Sequence, residues 1–125
     1  MTVTPRPQTL DTRAAVREAV GAVLDTKGED VRVRELQSIA DFTDWFVLAN
    51  GANERQVQAI ADRVEERLRT SGLRPLHVEG YAPAQWVLLD YGDFIVHVFL
   101  EERRRYYGLE RLWGDAPDRT GEFVP

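Results

Sequence analysis

Two pairs of aspartates are the residues of this sequence best suited to hold a catalytic metal ion. Asp41 and Asp44 lie three positions apart, as do Asp90 and Asp93. Metal-dependent phosphoryl transfer usually places two carboxylates two positions apart on a strand, so that both face the same side and hold Mg²⁺. A spacing of three instead favours turns, which aspartate side chains stabilise. A nucleotidyltransferase-like activity using Asp41, Asp44 or Asp90 with magnesium is therefore an alternative and not the leading hypothesis.

The other reactive side chains form no recognisable motif. The chain has two histidines, His77 and His97, and no cysteine, and neither histidine has a second metal ligand at motif spacing. His97 alternates with Ile95 and Phe99 on a predicted strand, which favours a partly buried histidine hydrogen-bonded to a neighbour. The glycine-rich loops that bind dinucleotides or triphosphates are absent from the sequence. We therefore expect no metal, no cofactor and no small-molecule substrate.

Length and composition are those of one globular domain. The chain has 125 residues, of which 43% are hydrophobic and 30% charged, enough to bury a single core. It lacks the apolar run of about 18 residues that could span a membrane. Its N-terminus lacks a secretory signal, so we expect a cytoplasmic protein. With 16 basic and 21 acidic residues the net charge is −5, which argues against binding driven by phosphates and suits a basic protein partner.

Apolar periodicity predicts three helices and five strands. In chain order they are a helix (9–27), strands (31–36 and 45–49), a helix from Asn53 to Gly72, strands (76–80, 86–90 and 94–100) and a helix (101–107). The strand at 45–49 is apolar on both sides and is predicted to be an inner strand. The helix that follows has a capping box, Asn53 with Gln56, and suggests a βαβ unit with a parallel neighbour strand.

The last two strands are joined by Asp90–Asp93, which is typical of a hairpin turn. A crossover and a hairpin together predict an α/β (α+β) fold, a single domain with a mixed central sheet of about five strands flanked by helices. Residues 1–8 are expected to form a flexible N-terminal tail, residues 9–113 the domain and residues 114–125 a C-terminal tail.

The strand at 86–90 has the pattern of a binding surface. Alternation places Trp86, Leu88 and Asp90 on one face, and Val87 and Leu89 on the other. An aromatic side chain beside a carboxylate can anchor a basic protein partner. The same pattern fits a Trp86 that belongs to the core, and the residues alone leave both interpretations open.

Two blocks of the chain carry a family resemblance. They are Asp44–Gly51 with Arg55–Val57 and Ala59–Asp62, and Gly80 with Trp86–Asp93, Val96–Phe99, Arg104, Tyr107 and Leu109–Trp113. In these blocks the sequence resembles the ribosomal silencing factor family, also called the Iojap family. The resemblance covers roughly residues 10–116. It implies a homodimeric α/β protein, nucleotidyltransferase-like in fold but without the catalytic motif.

The function that the resemblance implies is regulatory and not enzymatic. Such a protein binds the large ribosomal subunit through its ribosomal protein numbered fourteen, sterically blocks association with the small subunit and represses translation under nutrient limitation. The residues that the resemblance places at this contact are Trp86, Val87, Leu88 and Asp90, with Tyr91 and Asp93 of the adjoining turn. Arg103, Arg104 and Arg105 directly follow Glu101 and Glu102, and on a helix these charges would largely pair with each other or face water. A place at the dimer interface or at a rim contact to ribosomal RNA is the alternative for them. A dimeric adaptor with a partner outside the ribosome is a third hypothesis.

Overall fold

Four helices and five strands make up the described part of the chain. The computed structural model describes residues 11–36, 42–107 and 116–125, with only the backbone for residues 105–107. The elements are α1 (Thr12–Asp25), β1 (Glu29–Glu35), β2 (Trp45–Gly51), α2 (Glu54–Thr70), β3 (His77–Glu79), β4 (Trp86–Asp90), β5 (Phe94–Leu100), α3 (Glu101–Tyr107) and α4 (Thr120–Phe123). Over these residues, every helix is too short or too polar to cross a lipid bilayer.

A single mixed sheet of five strands carries the fold, as predicted. The strand order is β1-β2-β5-β4-β3. β2 and β5 run parallel, whereas each other neighbouring pair is antiparallel. The parallel partner of β2 is thus reached through α2, β3 and β4, and β4 and β5 form the predicted hairpin. Every residue of β2 is buried, which confirms that it is an inner strand.

The predicted capping box begins α2 and also ties two helices together. The Asn53 side-chain carbonyl accepts from the Gln56 backbone N–H at 2.8 Å, and the Gln56 side-chain carbonyl accepts from the Ala52 N–H at 2.7 Å. The Gln56 amide then donates to the carbonyls of Thr26 and Lys27, at 3.2 and 3.0 Å. Because those two residues follow α1, one side chain fixes the start of α2 against the end of α1.

The two sheet faces differ in what covers them. α1 and α2 pack on one face and enclose the larger apolar cluster, whose members on the inner strands include Val47, Ala49, Val96 and Val98. The opposite face carries a second buried cluster, made up of Leu36, Phe46, Leu48, Ile95, Phe99 and Ala116, against which Trp86 and Leu88 pack. Alternation along the strands therefore produces two apolar layers, one on each side of the sheet.

The C-terminal segment differs from the expected tail at 114–125. The Glu35 N–H donates to the Pro117 carbonyl at 3.0 Å, and the Arg119 N–H donates to the Val33 carbonyl at 2.8 Å. These bonds cover the outer edge of β1, and Phe123 is buried in the helix-side core. The segment has too few apolar residues for a periodic pattern, so the sequence did not reveal this role. The expected tail at 1–8 lies outside the described residues, as do residues 114 and 115.

Candidate protein-binding surface

Trp86, Leu88 and Asp90 lie on the sheet face opposite α1 and α2, and together they are called the Trp86 face. All three are partly buried, whereas Val87 and Leu89 between them are fully buried under the helices. Val87 therefore has no surface with which to touch a partner. Among the expected contact residues, it is the one whose role is to hold β4 on the core.

A groove of about 270 Å³ opens on the Trp86 face beside β3, and is called the Trp86 groove. Its lining consists of Glu79, Gly80, Trp86 and Leu88. Glu79 is exposed and lies opposite Leu88 in the β3–β4 pairing. A carboxylate thus borders an apolar floor, an arrangement that suits an apolar side chain on a basic segment of protein.

Trp86 takes part in both the core and the groove. Its ring stacks on Phe99, the residue opposite it on β5, with centroids 5.4 Å apart and planes at 26°. Its indole N–H donates to Nδ1 of His97 at 3.1 Å. The two interpretations that the sequence left open are therefore compatible, because one side chain packs on the core and lines the groove.

His97 is more deeply buried than the sequence suggested. Only 2% of the residue is exposed, and its ring lies edge-on to Phe46, with centroids 4.5 Å apart. The predicted hydrogen bond to a neighbour is confirmed, and the neighbour is Trp86. Burial lowers the pKa of His97 from 6.5 to about 3, so the imidazole is neutral at physiological pH.

The turn between β4 and β5 divides its side chains between the two faces. The Asp90 carboxylate accepts from the Gly92 N–H at 2.8 Å, which stabilises the turn. Tyr91 stacks on Phe94 with centroids 4.9 Å apart and packs against the helix-side core, and burial raises the pKa of its phenol. Asp93 is exposed. The acidic groups of the turn that face solvent are therefore Asp90, in part, and Asp93.

Of the aspartates considered for metal binding, Asp44, Asp90 and Asp93 lie at the amino ends of the parallel strands. The Asp44 N–H donates to the Asp93 carbonyl at 2.9 Å, so the loop before β2 meets the turn before β5. Ligand sites of parallel sheets lie instead beyond the carboxyl ends of the strands. Asp41 lies outside the described residues. Within the three described ranges, no cluster of three or more His, Cys, Asp or Glu residues is suited to a metal ion.

Arg104 has an intramolecular role, one of the roles expected for its basic run. Its guanidinium donates to the side-chain carbonyl of Asn50 at 2.8 Å and to the Asp30 carbonyl at 2.6 Å, and 5% of its side chain is exposed. It thus joins α3 to the ends of β1 and β2, and is not placed to contact RNA at a rim. Arg103 is partly buried, and the side chain of Arg105 is not described. Its partner Asn50 is a polar residue in a strand that is otherwise apolar.

Comparisons with known proteins give one consistent result. The sequence model of a family described as "Ribosomal silencing factor during starvation" matches residues 9–124. The ribosomal silencing factor RsfS of Halalkalibacterium halodurans is 46% identical over 99 residues, which are 79% of this chain and 85% of that protein. The protein of the same name from Bacillus subtilis is 37% identical over 108 residues, which are 86% of this chain and 92% of that protein.

A solved structure is similar over the same extent. A crystal structure of a protein from Chromobacterium violaceum has a TM-score of 0.82 to this chain at 33% identity, and the match covers 84% of this chain and 88% of that one. Sequence and fold are therefore similar to these proteins across nearly the whole domain.

Proposed function

The chain belongs to the ribosomal silencing factor family, and we propose that it binds the large ribosomal subunit and blocks its association with the small subunit. The proposed contact is the large-subunit ribosomal protein numbered fourteen. Translation is thereby repressed in the cytoplasm when nutrients are limiting, and the protein acts as a homodimer. The observation that supports this most directly is the Trp86 groove, an apolar and acidic site whose lining residues all lie within the region that the family model matches.

The charge of the protein fits a ribosomal protein as the partner. Ribosomal proteins must neutralise RNA and are therefore rich in Lys and Arg. The net charge of this chain is −5, and the Trp86 groove is bordered by Glu79, with Asp90 at the far end of β4. Charges of opposite sign at the rim of an interface raise the association rate and select the partner, while apolar groups at its centre supply most of the affinity.

The expected contact residues other than the buried Val87 each have a distinct role in this proposal. Trp86 and Leu88 supply apolar area that is only partly buried in the free protein. Asp90 and Asp93 present carboxylates to basic groups of the partner. Tyr91 holds the turn that carries both aspartates, through its stacking on Phe94.

The proposed mechanism requires only that the protein binds the large subunit, and it involves no catalysed reaction. A folded domain seated on the joining face of the large subunit excludes the small subunit by its volume, so the extent of silencing follows the fraction of large subunits occupied. Activity then depends on affinity and abundance.

Sedimentation of purified ribosomal subunits tests the proposal. Adding the protein is expected to reduce the joined-ribosome peak and to leave the protein in the large-subunit fraction. Asp90→Arg should weaken this binding about tenfold or more, because it sets like charges against a basic partner. Glu29→Arg makes the same charge change on β1, at the opposite edge of the sheet, and should bind like the wild type. Undiminished formation of joined ribosomes at saturating protein would rule the proposal out.

A further inference from the structure

We propose that His97 is a positioning residue that holds the Trp86 ring in the one orientation that forms the Trp86 groove. The inference rests on the proposed function, because the groove matters as the site of the ribosomal partner. It assigns a role in recognition to a residue that is buried and touches no partner itself.

The first support is the packing of the imidazole ring. His97 lies edge-on to Phe46 at 4.5 Å with planes at 77°, and nearly parallel to Phe99 at 6.1 Å with planes at 14°. It pairs with Leu88 across β4 and β5. Aromatic neighbours on β2 and β5 thus fix the plane of the ring, and Nδ1 points in a set direction.

The second support is the geometry of the bond to Trp86. His97 is the diagonal neighbour of Trp86, two positions along β5 from Phe99, and its Nδ1 lies 3.1 Å from the indole nitrogen. Stacking on Phe99 fixes the plane of the indole. A rotation of about 180° about the Cβ–Cγ bond would keep that plane and move the N–H to the other side of the ring. The Nδ1 acceptor on one side of the ring removes this freedom, because only one orientation brings the N–H to Nδ1.

The third support is the position of His97 in its strand. β5 reads FIVHVFL and is buried along its whole length, so packing alone would be satisfied by an aliphatic residue. An aliphatic residue would leave the indole N–H without this acceptor. Burial lowers the pKa of His97 to about 3, so Nδ1 stays unprotonated and able to accept, while the neutral ring carries its proton on Nε2.

Two substitutions separate positioning from simple packing. In His97→Asn, the side-chain carbonyl takes nearly the place of Nδ1 and keeps an acceptor for the indole. In His97→Leu, the volume is filled and the acceptor is lost. The folding of both variants is checked by thermal unfolding, and the indole N–H signal of Trp86 is followed by NMR, assigned by its disappearance in Trp86→Phe.

The expected result is a change in the indole signal that parallels binding to purified large subunits. His97→Leu should shift the signal upfield, speed its exchange with solvent and weaken binding about tenfold, while His97→Asn should restore both to within about twofold of the wild type. In the Trp86→Phe background, His97→Leu should cause no further loss, since the effect passes through Trp86.

Three outcomes would overturn the inference. They are an unchanged indole signal in folded His97→Leu, unchanged binding by that variant, or an equal loss of binding in the wild-type and Trp86→Phe backgrounds. If the wild type itself fails to bind large subunits, the proposed function is wrong, and the indole signal still decides whether His97 orients Trp86.

Discussion

Phe123 packs edge-on against Trp45, with ring centroids 5.5 Å apart and ring planes at 75°. Arg13 and Arg17 of α1 place their guanidinium groups 5.3 and 5.1 Å from the centre of the Phe123 ring. The end of the chain is thereby held between α1 and the start of β2. Residues 116–124 are thus part of the folded domain, and Phe123 is their anchor.

Phe123→Ala is expected to destabilise the domain by about 3 kcal/mol, since it removes a buried aromatic ring and the cation–π contacts to it. Urea unfolding monitored by circular dichroism measures the change. Gly121→Ala in the same short helix is the matched control, because its added methyl group meets no atom within 4 Å. A loss below about 1 kcal/mol for Phe123→Ala would mean that the terminal segment is only loosely attached.

Strong local patterns account for the parts of the fold that could be predicted. Three patterns are each compatible with only one local structure. They are the apolar stripe and capping box of α2, the apolar residues on both faces of β2, and the turn between β4 and β5. The C-terminal segment could not be predicted in this way, because Phe123 and Val124 are too few to define a period. Its place beside β1 is set by tertiary contacts alone.

Of the candidate site, the residues of β4 predict only which side chains point to the same face of the sheet. Alternation separates Trp86 and Leu88 from Val87, since successive side chains of a strand point to opposite sides. The bond between Trp86 and His97 depends on the rotamers of both side chains as well as on the register of β4 against β5, and alternation alone does not specify these rotamers. Nor could it show that β3 would open a groove beside Trp86.

Arg104→Met is expected to destabilise the domain by about 2 to 3 kcal/mol, since hydrogen bonds to a charged donor are lost at Asn50 and Asp30. Arg104→Lys keeps the charge but lacks the planar guanidinium group, and should recover only part of this loss. Denaturant unfolding measures both variants.

The salt dependence of ribosome binding provides the control for Arg104. If the guanidinium acts only within the domain, folded Arg104→Met should bind large subunits with the same salt dependence as the wild type. A normal stability together with a salt slope reduced by about one would instead identify Arg104 as a phosphate contact.

His97 should make the stability of the domain fall in mild acid. Its folded pKa is about 3 against an ordinary value of 6.5, with burial as the cause. Between these values the unfolded chain binds a proton that the folded chain does not, so stability is full above pH 6.5 and is lost as the pH falls toward 3. The slope is at most about 1.4 kcal/mol per pH unit.

The matched measurement is urea unfolding at pH 7.5, 6.0 and 5.0 for the wild type and His97→Asn. Carboxylates contribute nearly equally to both proteins, so the difference between the two curves isolates His97. The wild type should lose about 1 kcal/mol more than the variant between pH 6.0 and 5.0. Parallel curves would show that the imidazole takes up its proton as readily in the folded as in the unfolded chain.

Gly80 and Gly92 give a paired test of the backbone around the Trp86 groove. Both residues have positive φ, at 77° and 87°, so alanine at either position is strained by about 1 to 2 kcal/mol. A methyl group on Gly80 would also overlap the carbonyl oxygen of Trp86, whereas one on Gly92 would lie 3.3 Å from a flexible Leu76 methyl. Gly80→Ala should therefore destabilise the domain more than Gly92→Ala does. The total loss expected for Gly80→Ala is about 3 kcal/mol or more.

The same pair links the backbone to binding. To accommodate a methyl group on Gly80, the Trp86 carbonyl must move, and the floor and rim of the groove move with it. Gly80→Ala should therefore lose more affinity for the large subunit than Gly92→Ala. Both variants are compared by sedimentation under conditions in which each is fully folded. Equal affinities would show that the partner does not depend on the shape of the groove at Gly80, and would direct the search for its contact toward Asp90 and the adjoining turn.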